Sequence, residues 1–93
     1  MVVGIARIEL HIPAARSLKD KRQVVRSLKE KIRARTSAAV AEVEHQELWQ
    51  RAALGVAVVS AEGGQVHEML QAIRRLAEST PGAELLDWQE TLQ

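Results

Sequence analysis

Two stretches of the chain carry apolar residues every three or four positions, and each is bracketed by segments in which apolar and polar residues alternate. That order of periodicities narrows the fold more than any other feature. A period of 3.6 buries one face of a helix, and a period of two buries one face of a strand. Residues 2–12 alternate from Ala6 onward, with Ala6, Ile8, Leu10 and Ile12 on one face and Arg7, Glu9 and His11 on the other. Pro13 stops this strand, because proline cannot donate to a ladder. Ser17 then offers an N-cap, and Asp20 stands where a capping box places its acidic member. Leu18, Val25, Leu28 and Ile32, with Val24 beside them, carry an amphipathic helix to Arg35.

Residues 37–45 alternate again, with Ala39, Ala41 and Val43 opposite Val40, Glu42 and Glu44, so the two glutamates are expected together on a wet sheet face. Gln46 to Arg51 is a polar connection that holds Leu48 and Trp49. Residues 52–60 are almost wholly apolar, as in a strand with neighbours on both sides. Glu62-Gly63-Gly64 reads as a turn, and Val66, Met69, Leu70, Ile73 and Ala77 form the buried stripe of a helix over 65–79 that Pro81-Gly82 ends. Ala83 to Leu92 reads as a short edge strand with Leu86, Trp88 and Leu92 on one face. Strand, helix, strand, strand, helix, strand is the order of two βαβ-type units with right-handed crossovers. The expected fold is α+β: a ferredoxin-like α/β plait (βαββαβ) over residues 1–93 as a single domain, with a four-stranded antiparallel sheet and two helices on one face. The first and third strands should be central.

Composition removes several function classes. The chain has no cysteine, so thiolate metal sites, disulfides and cysteine nucleophiles are excluded. Two tryptophans are the only aromatic residues, which argues against a base-stacking platform on the sheet. No apolar run nears the roughly 18–20 residues of a membrane span, and no charged-then-apolar leader precedes a small-residue cleavage site. His11, His45 and His67 lack H-x-x-x-H and HExxH spacing, so no metal site is expected. No serine sits in a Gly-x-Ser-x-Gly elbow, and Glu42 and Glu44 are the only paired carboxylates on a strand. No catalytic residues and no cofactor are expected; the chain does not read as an enzyme.

Charge is the one strongly uneven property. The net charge is +1, yet nine of the thirteen Lys and Arg residues and only two acids lie between Arg16 and Arg35. That segment carries +7, and the remaining four basic and ten acidic residues carry −6. Lys19, Arg22, Arg26, Lys29 and Arg33 are spaced 3, 4, 3 and 4 apart and draw one continuous line along the first helix. A helix built only for solubility mixes its signs, whereas a line of cations suits phosphates, from which it displaces counterions.

Ser17-Leu18-Lys19-Asp20-Lys21-Arg22 at a helix start, then Val40-Ala41-Glu42-Val43, then His45 to Ala52 with Leu54-Gly55, resemble the YlxP-like family of bacterial proteins. The likeness covers nearly the whole chain, and Leu48-Trp49-Gln50-Arg51-Ala52 is its most specific string. Thr36-Ser37-Ala38 stands where that family commonly has an aromatic residue and an asparagine. The resemblance implies a cytoplasmic ferredoxin-like domain, often encoded near transcription-elongation and translation-initiation factors, and it implies no reaction.

The functional expectation is a binding module that contacts RNA or ribosome-associated components through Lys19, Arg22, Arg26, Lys29 and Arg33. The alternative is a dimeric regulatory domain that senses a small molecule or protein partner, in the manner of ACT-like plaits. Leu48, Trp49, Arg51 and Trp88 are the expected partner contacts, because Trp and Arg dominate interface hot spots. A homodimer is expected, since a chain this short buries little of its own surface.

Overall fold

The computed structural model describes residues 1–93. Its elements are β1 (Val2–His11), α1 (Leu18–Arg35), β2 (Ala39–Glu44), β3 (Arg51–Ser60), α2 (Gly63–Ser79) and β4 (Glu84–Leu92). The strands form one antiparallel sheet in the order β2-β3-β1-β4, so β1 and β3 are central and β2 and β4 are edges. This is the ferredoxin-like plait, with both helices against one face of the sheet.

Parity in β1 and β3 decides which side chains meet the helices. Ala6, Ile8 and Leu10 of β1 lie beside Val56, Leu54 and Ala52 of β3 on the helix-facing side of the sheet, with Val58 opposite Gly4, all of these but Gly4 at most 2% exposed. Val25, Leu28 and Ile32 of α1 and Val66, Leu70 and Ile73 of α2 close over them. Leu28 is fully buried, as its place on the apolar stripe requires. The helix begins where its cap places it: the Ser17 hydroxyl accepts from the Asp20 amide at 3.0 Å. The Asp20 carboxylate returns one residue further back than a capping box, to the Arg16 amide at 3.0 Å.

Three expectations are corrected. Gly63 and Gly64 do not form a separate turn but lie in the first turn of α2, whose Val66 amide donates to the Glu62 carbonyl at 3.3 Å. In β4 the register against β1 shifts between Glu9 and Leu10, so Leu10 faces Leu85 and Glu9 faces Asp87. Leu86 is the extra residue of that bulge and is exposed; Leu85 and Trp88 pack on the core instead. In β2 a second shift, between Glu42 and Glu44, turns Glu44 to the open face while Glu42 stays beneath α1, so the two glutamates do not share a face.

Candidate functional site

The basic line survives folding as a surface feature. Lys19, Arg22, Arg26 and Arg33 are exposed and Lys29 is half-buried, because the stripe runs beside, and never over, the buried Val25, Leu28 and Ile32. None of the five has a carboxylate within 4.0 Å; every ion pair of the chain belongs to other residues. Arg22, Arg26, Lys29 and Arg33, with Val25, Glu30 and Glu42, line a groove of about 490 Å³ between α1 and the β2 edge. Arg33 also donates to the Val40 carbonyl of β2 at 3.3 Å, which ties the far end of the groove to the sheet. Lys19 lies on the same line, outside the groove. Within one chain, none of these five cations is paired with the acidic body.

Lys21 is the residue that the charge arithmetic misplaces. It counts toward the +7 segment, yet it is fully buried. Its ammonium donates to Glu42 Oε2 at 2.9 Å and to the carbonyls of His45, Gln46 and Arg51 at 2.7, 3.2 and 3.3 Å. Four acceptors at this range satisfy a buried cation that would otherwise be prohibitive. The signal was present in the sequence: positions 18, 21, 25, 28 and 32 continue one helical stripe, and Lys21 is its only polar member. His45, whose carbonyl makes the shortest of these contacts, has a left-handed backbone with φ 63°.

On the opposite face of the sheet, Glu9 is buried beneath two guanidinium groups and an imidazole. Arg51 reaches it at 2.7 Å, Arg7 at 2.9 Å and His45 Nε2 at 3.1 Å, while Arg7 also grips Glu44 at 3.0 Å. Burial opposes ionisation of Glu9, but the hydrogen bonds from Arg51 and Arg7 and the neighbouring charges outweigh it and hold the carboxyl below the usual range. Hydrogen bonds from Arg7 to Glu44 and Glu9 hold its guanidinium further into the charged form.

The expected partner residues are not brought together. Leu48 and Trp49 are 49% and 54% exposed on the β2–β3 connection, so Trp49 does not fold back over the core. Arg51 is engaged with Glu9. Trp88 is half-buried on β4, at the other edge of the sheet, where Arg74 lies 5.8 Å over its ring and its indole N–H donates to Glu90 at 2.8 Å. Gln50, between the two exposed residues and Arg51, clamps the β1–α1 loop by donating to the carbonyls of Pro13 and Ala15 at 3.2 and 3.1 Å. The Leu48-to-Ala52 string thus combines an exposed apolar tip with a structural clamp. No three His, Asp or Glu side chains gather as a metal site, and no helix is long and apolar enough to cross a membrane.

Comparison with known proteins agrees with this picture. The chain is 31% identical over 83 residues to the uncharacterized protein YlxP of Bacillus subtilis (strain 168), covering 89% of this chain and 90% of that one. Among solved structures, a de novo designed protein with a ferredoxin fold superposes with a TM-score of 0.57 at 12% identity, over 100% of this chain and 86% of the design. The designed protein Ferredog-Diesel gives 0.51 at 14%, over 98% and 84%. These two likenesses speak to the fold alone. The model of the family described as protein of unknown function (DUF503) matches residues 3–90, and the chain belongs to that YlxP-like family.

Proposed function

We propose that this protein is a non-catalytic cytoplasmic module that grips the phosphate backbone of RNA, free or within ribosome-associated particles, through the groove beside α1. The observation that carries the reading is the set of four unpaired cations, Arg22, Arg26, Lys29 and Arg33, around one groove. A groove whose four cations make no ion pair is an electrostatic footprint for a polyanion. The sheet is a poor alternative surface for bases. Its open side offers Arg7, Glu9, Glu44 and His11 where stacking would need aromatic rings.

Five phosphate contacts to a single strand, Lys19 included, imply a log-affinity against log-salt slope of roughly −3.5, at about −0.7 per contact. Replacing Arg22→Gln and Arg26→Gln together should flatten the slope to roughly −2 and leave the fold intact, as both side chains are exposed. Base sequence should matter little, because no element here is equipped to read base edges. Fluorescence anisotropy with unstructured RNA oligonucleotides over a salt series makes the measurement. Binding no tighter than about 10⁻⁴ M at physiological salt overturns the reading, as does a slope unmoved by the double substitution. Either result would favour the regulatory-domain alternative, which expects no salt-dependent RNA binding.

A further inference from the structure

The open face of the sheet, away from both helices, divides into two halves of different chemistry. Toward the ends of β1 and β4 that pair Glu9 with Asp87 and His11 with Glu84, it is charged and internally paired. The other half is apolar. Cross-strand register sets Ala39, Ala57 and Ile5 in one row and Val59 and Val3 in the next, with Ala41, Gly55 and Val43 adjoining. Ile5, Val43 and Val59 are 42%, 46% and 57% exposed, although each is a strand residue with an aliphatic side chain. Ile5 and Val43, with Ala39, Ala41, Gly55 and Ala57, bound an apolar hollow of about 350 Å³, and Val59 stands beside it. A soluble chain rarely leaves a contiguous apolar patch of this kind to water.

We infer that this face is a self-association surface and that its occupant is a second copy of the chain, packed sheet against sheet about a two-fold axis through the apolar half. Three observations select a second copy in this geometry. First, the patch contains both ridges, Ile5, Val43 and Val59, and a trough, Ala39, Ala41 and Ala57. An isologous interface needs such a self-complementary patch, because a two-fold rotation sets the same residues of both copies against one another. Second, charge disfavours the other symmetric contacts. Pairing two β2 edges would set two cationic α1 helices side by side, and pairing two β4 edges would set Glu84, Asp87 and Glu90 against their counterparts, in a strand that contains no basic residue. The apolar half carries no charge at all. Third, the open face is large enough once its charged half serves as the rim of the seam: four strands about 4.8 Å apart and up to about ten residues long at 3.3 Å each give roughly 600 Å² in projection, of which the apolar half is roughly 300 Å². The relief of the side chains raises the whole face toward the roughly 800 Å² per partner of a standard interface.

The resulting sandwich leaves both α1 grooves on its outer surfaces. It rests on different residues from the RNA reading and stands or falls separately from it. Sedimentation equilibrium of nuclease-treated protein tests it, because an apolar seam persists in molar salt and a charge-driven or RNA-bridged assembly does not. The expected mass is twice the 10.3 kDa of one chain. Ala57→Lys and Val59→Lys each place a charge in the seam at an exposed position of the single chain, so circular dichroism should be unchanged. Each should raise the dimer dissociation constant about 100-fold or more. A wild-type chain that sediments only as a monomer at micromolar concentration overturns the proposal and points to a different partner for this face. A dimer that survives both substitutions overturns it equally and places the seam elsewhere.

Discussion

Lys21 couples three parts of the chain through one ammonium: the first turns of α1, the edge strand β2 and the start of β3. Lys21→Met keeps the aliphatic stem but strips Glu42 and three carbonyls of their donor, and it should cost about 3–5 kcal/mol, measured by urea denaturation. A loss below about 1 kcal/mol would mean that water replaces the ammonium without penalty. Glu9 plays a comparable part on the other face. Its native pKa lies below its unfolded value, so its contribution is complete above the ordinary glutamate range and is lost as pH falls through and below it. Glu9→Gln should therefore cost roughly 1–2 kcal/mol at neutral pH, and the gap to wild type should close as pH falls below about 4.3. A gap independent of pH would assign the effect to packing and not to charge. His45 belongs to both clusters, with its carbonyl on Lys21 and its ring on Glu9.

At the scale of elements, the separation of α2 from β1 is set by a missing side chain. A Cβ at Gly4 would drive into Val66 and come within 3.0 Å of Leu70 and 3.1 Å of Val58. The helix can lie this low on the strand only because Gly4 leaves the space open. Gly4→Ala should push α2 outward and lower stability by about 1–3 kcal/mol, read as a fall in thermal midpoint. No change would show that α2 rides higher on the sheet than described. The turn after α2 uses glycine differently: Gly82 has φ 84°, a left-handed conformation that closes Pro81-Gly82 into β4. Edge strands carry the irregularities. Both register shifts involve β2 or β4, where a bulge disturbs a single ladder and re-aims side chains at low cost.

In the whole molecule, the two layers divide the work. Both helices cover one face of the sheet and leave the other open, so the cationic groove and the apolar sheet patch look in different directions. The polyanion proposed for α1 and the second copy proposed for the sheet would therefore not compete for one surface. The double substitution in α1 should leave sedimentation unchanged, and the sheet substitutions should leave the groove's own cations untouched.

Element order, the N-cap at Ser17, the central place of β1 and β3 and the basic line on α1 are all readable from the chain, because each depends on periodicity or on neighbours three or four residues away. The resemblance through Leu48 to Ala52 was equally visible, though not that Gln50 is its clamp. Lys21 illustrates the boundary: the stripe at 18, 21, 25, 28 and 32 announces a buried lysine, but its acceptors lie 21 to 30 residues away, and only the packing of α1 on β2 and the β2–β3 turn assembles them. The same holds for Glu42 and Glu44, which alternate correctly in sequence and part company at a bulge. Tertiary structure alone decided that Arg7, Arg51 and His45 converge on Glu9, that Leu85 replaces Leu86 in the core, and that the five cations of the exposed α1 line find no carboxylate. Local patterns are set by backbone geometry within a few residues, whereas pairing across strands depends on register, which a single inserted residue changes.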